Sequence, residues 1–443
     1  MHELWEFIMN KHVRTHSSIR LFAISLLGIS VLPWHVAFAQ ESIDLAWAFE
    51  KTLINNSQLK AYPYELRIGE ADKIQAGIKP SPTIGVEIEN VLGNGDHSGL
   101  GDAEYTLALS QTIEMGGKLD SRIAVVDART QAKQASYQLK RLDVLAETSR
   151  RYYQALRLQS LQSVIAQRIM QEQQALKVIK RRAQAGAVGQ ADVSKMALRL
   201  AHSQATQQQL ADELSLAKTR LAAMWMDEVD FDIVKGDLSQ WPTLPDIETL
   251  NAAVETAPKY LQNQAYQRLA DSRLQLAKAN GYNNIYFGVG VRRFEKSDDQ
   301  ALIFNLSVPL TFDNPNRGRI AAAYAEKELS DAQGELSLVK LKLELSEIQQ
   351  RMLANSRHVT IVIEQLLPHA KTLLKDTEKG YQQGQYSVLQ WVDAQTELFD
   401  LEHQLIEMQT RIYLQLLELE RVTGQAMTQK NNTLGNQLGI KVL

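Results

Sequence analysis

Glu87 and Glu89 stand two residues apart in a segment where apolar and polar residues alternate, so a strand turns both carboxylates to one face. Acids repeated around a watery passage favour cations over anions, although acids on a wetted wall also serve solubility alone. Asp192 and Asp393 each follow a glycine-containing break and open a helical stretch, where the helix dipole favours an acid in any case. His97, His202, His358, His369 and His403 have none of the three- or four-residue spacings that bring imidazoles together on a metal. There is no GxxxxGK[ST] phosphate loop, GxSxG elbow or HExxH pair. These residues imply no catalytic group, no cofactor and no bound metal, so the chain is not expected to be an enzyme.

Other classes fall away on composition. The formal net charge is -3 and the Lys and Arg residues are scattered among Asp and Glu, which gives no stripe to attract phosphates, so nucleic acid is excluded as a partner. With no cysteine, the chain forms neither a disulfide nor a thiolate site and cannot carry a lipid on an N-terminal cysteine.

Residues 1–39 read as an export signal: Lys11, Arg14 and Arg20 precede an apolar run, 21–32, followed by Ala37-Phe38-Ala39. That run is short of the roughly 20 residues a membrane anchor needs. The mature chain is expected to begin at Gln40, and Met9 would serve equally as the start.

Later in the chain no apolar stretch is long enough for a spanning helix, so any membrane crossing falls to strands. Four segments fit, at 83–91, 103–113, 285–293 and 301–310. In the last, Leu302, Phe304, Leu306, Val308 and Leu310 alternate with Ile303, Asn305, Ser307 and Pro309; in the first, Ile84, Val86 and Ile88 oppose Glu87 and Glu89. Nine to eleven residues is the length that crosses a tilted bilayer, with a greasy outside and a watery inside. A soluble, half-buried hairpin gives the same pattern.

The helices are longer than a compact domain holds. Residues 119–185 contain no proline or glycine, which at about 1.5 Å per residue makes a rod of roughly 100 Å. The chain breaks at 186–189, returns over 190–224, crosses an irregular acidic stretch and resumes as a helix over 247–280. A second circuit runs out over 318–379, turns at 380–384 and returns over 386–423, completed by an N-terminal helix over 43–79 with a kink at Pro63. Leu398, Leu401, Leu405, Met408, Ile412, Gln415 and Leu419 form a heptad seam with one polar intruder.

The two circuits are copies. Residues 110–123 (SQTIEMGGKLDSRI) return as 307–320 (SVPLTFDNPNRGRI), each ending a strand and opening a long helix. The expected division is a signal at 1–39, a first repeat at 40–240, a second at 241–424 and a tail at 425–443.

These segments, with 42–59 (SIDLAWAFEKTLINNSQL) and the turns 182–193 (RAQAGAVGQADV) and 380–393 (GYQQGQYSVLQWVD), carry a resemblance. The chain resembles the TolC-like family of outer-membrane efflux proteins, and is similar in particular to the branch serving heavy-metal export pumps. The fold implied is mainly α with a small β part: a long α-helical coiled-coil barrel plus four transmembrane β-strands per chain, closed as a twelve-stranded barrel in a homotrimer. Physics independently demands partners, since a four-stranded sheet in lipid leaves roughly ten backbone groups unpaired at several kcal/mol each. Counting alone permits eight, twelve or sixteen strands; three chains come from the resemblance.

The function implied is a passive exit duct in the outer membrane, with a periplasmic helical tunnel. It would take metal cations or other small toxic compounds from an inner-membrane efflux pump through a periplasmic adaptor protein. By the same resemblance Gly186, Val188, Gly189, Gly384 and Ser387 are adaptor-docking tips, although any sharp helix reversal calls for glycine. Asp192 and Asp393 are gate candidates at the tunnel mouth, with Gln390 standing where the family has a second aspartate, and Glu87 and Glu89 line the barrel. Two other readings stay open: a periplasmic coiled-coil scaffold, and an outer-membrane channel for secreted polypeptides.

Overall fold

The computed structural model describes residues 42–240, 244–310 and 313–425; the expected signal and the tail beyond Gln425 lie outside the described residues. In chain order the first circuit comprises β1 (Ser42–Ile43), α1 (Leu45–Asn55), α2 (Ser57–Lys60), α3 (Tyr62–Ala76), β2 (Thr83–Glu89), β3 (Glu104–Ile113), α4 (Lys118–Gln184) and α5 (Gln190–Ala222). Then come β4 (Ile233–Val234), α6 (Ile247–Ala253), α7 (Pro258–Ala279), β5 (Ile285–Phe294), β6 (Asp299–Ser307), α8 (Arg317–Ile361), α9 (Leu367–Gln382) and α10 (Val388–Thr423).

The 67-residue helix α4 is the spine, about 100 Å long. Its far end packs Ala175 and Ile179 against Val193 and Met196 of α5, and its near end packs Val125, Ala128 and Ala132 against Ala265 and Leu269 of α7. Two shorter helices therefore cover one long one. At their junction Trp225, Phe231, Val234 and Ile43 close over Tyr152 and Leu156. Here β1 pairs in parallel with β4, and the Tyr152 hydroxyl donates to the Lys235 carbonyl.

Three differences from the helical expectations have identifiable causes. The N-terminal segment is not one helix from residue 43: it starts as the strand β1 and is cut at Asn56, whose side chain accepts from the Gln58 amide (3.0 Å) and donates to the Met224 carbonyl (2.9 Å). The 247–280 stretch is split because Pro258 has no amide hydrogen to continue the first helix and instead opens α7. The second outward helix carries a π-turn over Val362–Leu366, next to Pro368, whose ring cannot donate to the carbonyl one turn back. On α10, Leu398, Leu401, Met408, Ile412 and Leu419 are buried, and the polar intruder Gln415 accepts from Asn355 on α8 at 3.0 Å.

The four long strands form one antiparallel sheet in the order β2-β3-β5-β6. β2 stops at Glu89 because Asn90 and Leu92 take left-handed backbone angles (φ 56° and 59°), and β6 stops short of Pro309. Arg122 fastens sheet to spine: it binds Glu114 beyond β3 (2.9 Å) and donates to the carbonyl of Ala76, the last residue of α3 (3.3 Å).

Candidate functional sites at the hairpin tips and the sheet rim

The reversal between α4 and α5 and that between α9 and α10 share the same backbone hydrogen-bond pattern. Gly186 and Gly384 both take positive φ, 74° and 79°, which a side chain would strain. Ala187 donates to the Arg182 carbonyl and Gln385 to the Gly380 carbonyl, each at 2.8 Å. Asp192 and Gln390 then reach back to the amides of Gly189 (3.3 Å) and Ser387 (2.8 Å), completing the first turn of the next helix. All these pairs differ by one offset, since 384 − 186, 387 − 189 and 390 − 192 are each 198. Gln390 thus does for α10 what Asp192 does for α5, so its departure from aspartate keeps the capping bond. Asp393, exposed one turn further along, has Lys195 as its counterpart at the same offset.

The two tips are packed together. Tyr381, Val388, Trp391 and Val392 meet Ile179, Val193 and Met196, with the Tyr381 and Trp391 rings stacked at 5.1 Å. Val188 is half-buried against this cluster, while Gly186, Gly189, Gly384 and Ser387 are exposed. Arg182 lies over the Tyr381 ring at 4.7 Å, and burial, opposed by that guanidinium, pushes the Tyr381 hydroxyl above its ordinary value.

Farther up α4, Glu172 is 1% exposed and its Oε1 accepts from Arg168 Nε (2.8 Å) and from Arg199 Nε on α5 (3.0 Å). Arg168 also covers the Phe399 ring of α10 at 4.1 Å, so three helices meet at this charge cluster. Burial, reinforced by Arg168, holds Arg199 below its ordinary value. Glu172 Oε2 and Arg199 Nη2 have no hydrogen-bond partner among the described residues. Helical periodicity could have marked Glu172 as lying on the buried stripe with Ile165, Ile169 and Ile179; nothing in the sequence pairs it with Arg199.

On the sheet, registered rows such as Ile84, Leu109, Val289 and Phe304, or Val86, Leu107, Val291 and Leu302, form a continuous apolar face. That face is exposed, Ile84 and Val86 at 71% and Phe304 at 70%. Glu87 and Glu89 lie on the opposite face, where Arg292 binds Glu89 (2.6 Å) and Glu104 (2.8 Å). Sequence alternation places Arg292 on that face; only the strand register brings it to the acids. Among the described residues no cluster of three or more His, Asp or Glu side chains is arranged to hold a metal, and no helix is long and apolar enough to cross a membrane.

A four-stranded sheet with an exposed apolar face backed by a polar one, carried on helices of this length, has the alternation of a membrane-type sheet. Residues 48–225 match the family model described as outer membrane efflux protein. The cobalt-zinc-cadmium resistance protein CzcC of Cupriavidus metallidurans is 20% identical over 90% of this chain and 94% of its own. The crystal structures of CusC, described for transmembrane channel formation, superpose with a TM-score of 0.72 at 14% identity, covering 86% of this chain and 92% of that one. The outer membrane protein VceC from Vibrio cholerae superposes at 0.67 with 17% identity, covering 86% and 96%. Over residues 48–225 the chain is thus similar to outer membrane efflux proteins, and its fold is that of the solved outer-membrane channels.

Proposed function

We propose that this protein is the passive exit duct of a three-part export assembly. Three chains join their four-stranded sheets into a twelve-stranded barrel in the outer membrane, and their helices form a tunnel through the periplasm. The observation that carries this reading is the sheet itself. Its apolar face is exposed and its outer strands, β2 and β6, each have one unpaired edge, a state that hydrocarbon penalises until neighbouring chains close it. Supporting it, Leu329, Leu336 and Leu343 on α8 are seven residues apart and exposed in the single chain, a seam suited to a neighbour's helix.

The hairpin tips are the proposed docking surface for a periplasmic adaptor, which couples the duct to an inner-membrane pump. The common offset of 198 residues between the tips supports reading 40–240 and 241–424 as two copies of one unit. Metal cations are the proposed substrate, on the likeness to a cobalt-zinc-cadmium resistance protein. Cell fractionation tests the duct: the mature protein should sediment with outer membranes, and recovery in the soluble periplasm would establish a scaffold instead. Deleting the gene should raise sensitivity to cobalt, zinc or cadmium; unchanged sensitivity to all three would remove metals as the substrate.

A further inference from the structure

Charge on the polar face of the sheet is confined to its two outermost registered rows. One row is Glu87, Thr106, Arg292 and Ala301, and the other is Glu89, Glu104, Phe294 and Asp299. The next two rows inward are Gly85, Ala108, Gly290 and Ile303, then Thr83, Ser110, Gly288 and Asn305, all neutral and mostly small. Arg292 stands two residues before the end of β5, which at about 3.4 Å per residue is roughly 7 Å below the rim. Above it Lys296 pairs with Asp102 (3.2 Å), and Arg293 is shared by Asp298 (2.8 Å) and Glu295 (3.6 Å).

Arg292 does not project from the wall. From β5 its Nε donates to Thr106 Oγ1 on β3 (2.8 Å), its Nη1 to Glu104 on β3 (2.8 Å), and its Nη2 reaches Glu89 on β2 (2.6 Å). The guanidinium therefore lies flat across β3 and draws two carboxylates down beside it. Four carboxylates and one guanidinium leave the two rows at a formal −4 + 1 = −3 per chain.

We propose that Arg292 sets the ion preference of the outer mouth, by neutralising and pinning Glu89 and Glu104 so that only part of the acidic rim faces passing ions. The registered rows below the rim are uncharged, so the sheet wall's own contribution to the field comes from these two rows. The proposal rests on the duct reading and names a residue that determines which charges the mouth passes. Its ligands are small mobile ions, cations favoured and anions less disfavoured than the bare acids would make them.

The test is the potassium-to-chloride permeability ratio of the purified protein in planar bilayers under a potassium chloride gradient. Arg292→Gln should raise the ratio above wild type and Arg292→Glu should raise it further. Arg292→Lys should stay near wild type, because it keeps the charge. The double variant Glu89→Gln, Glu104→Gln, which removes the acids and leaves Arg292, should lower the ratio, and it decides the matter if the Arg292 variants fail to assemble. An unchanged ratio in the double variant, in pores of wild-type conductance, overturns the proposal. A wild-type protein that forms no pore overturns the duct reading itself.

Discussion

Arg182 Nη1, in the last turn of α4, donates to the carbonyl oxygen of Tyr381 in the last turn of α9, and the same guanidinium covers the Tyr381 ring. One side chain thus ties the tip of the first hairpin to the tip of the second, 199 positions away. Its counterpart at the common offset is Gly380, so the tie has no twin in the other repeat.

Arg182→Ala removes a charge-assisted hydrogen bond and a cation–π contact, together worth about 2 kcal/mol of coupling between the tips. Amide hydrogen exchange at 186–189 and 384–387 should quicken while exchange in the sheet stays as it is, and single-pore conductance should rise. Protection unchanged at both tips would show that the stacked Tyr381 and Trp391 hold them without Arg182.

The three exposed tip glycines, Gly186, Gly189 and Gly384, should divide by backbone angle. Gly186→Ala and Gly384→Ala force a side chain into left-handed backbone and should each destabilise by about 1 kcal/mol. Gly189 has an ordinary extended backbone with open space around its Cβ position, so Gly189→Ala should be close to neutral. Gly380→Ala should be worse than any of them, because its methyl would run into the Tyr386 ring. Urea midpoints of the variants check the order; equal effects at Gly186 and Gly189 would contradict it.

Much of this architecture is legible in the residues themselves. Leu302, Phe304 and Leu306 alternate because one face of a strand meets an apolar medium, and the stretch without proline or glycine before Gly186 can only be a long helix. Local sequence fails where a long-range partner decides. Asn56 ends a helix by bonding the Met224 carbonyl, 168 residues away, and Ser42–Ile43 becomes a strand because Ile233–Val234 is there to pair with it. Pro368 is visible in the sequence, but whether a helix yields to proline by stopping or by widening into a π-turn depends on its neighbours. At the sites, the glycine reversals and the polar strand face can be read directly. Arg182 on Tyr381, Arg199 on Glu172 and Arg292 on Glu89 require knowing which elements lie side by side.

Glu172→Gln leaves Arg168 and Arg199 side by side without a carboxylate in a buried place, and should lower stability by about 3 kcal/mol. Replacing the carboxylate and one cation together, Glu172→Met with Arg199→Met, should be milder than Glu172→Gln alone. Denaturant midpoints distinguish the two; a double variant as unstable as the single would place the importance in shape and not in charge balance.

Glu402, half-buried on α10, has its carboxyl raised above its ordinary value by burial, against an opposing pull from Lys371. An acid raised in the folded state adds stability below its unfolded value of about 4.5 and loses it as pH climbs through the folded value. Relative to wild type, Glu402→Gln should therefore gain stability as pH rises from 4 towards neutrality. Thermal melts across that range check the sign, and a constant difference would show that Glu402 titrates as it does when unfolded.

The central claim is that this sheet is completed by sister chains, and native mass measurement of the purified mature protein in mild detergent tests it most directly. Three copies per particle, with little free single chain at micromolar concentration, is the expected result. A particle containing one copy, its β2 and β6 edges unpaired and its apolar face covered by detergent alone, would contradict the account.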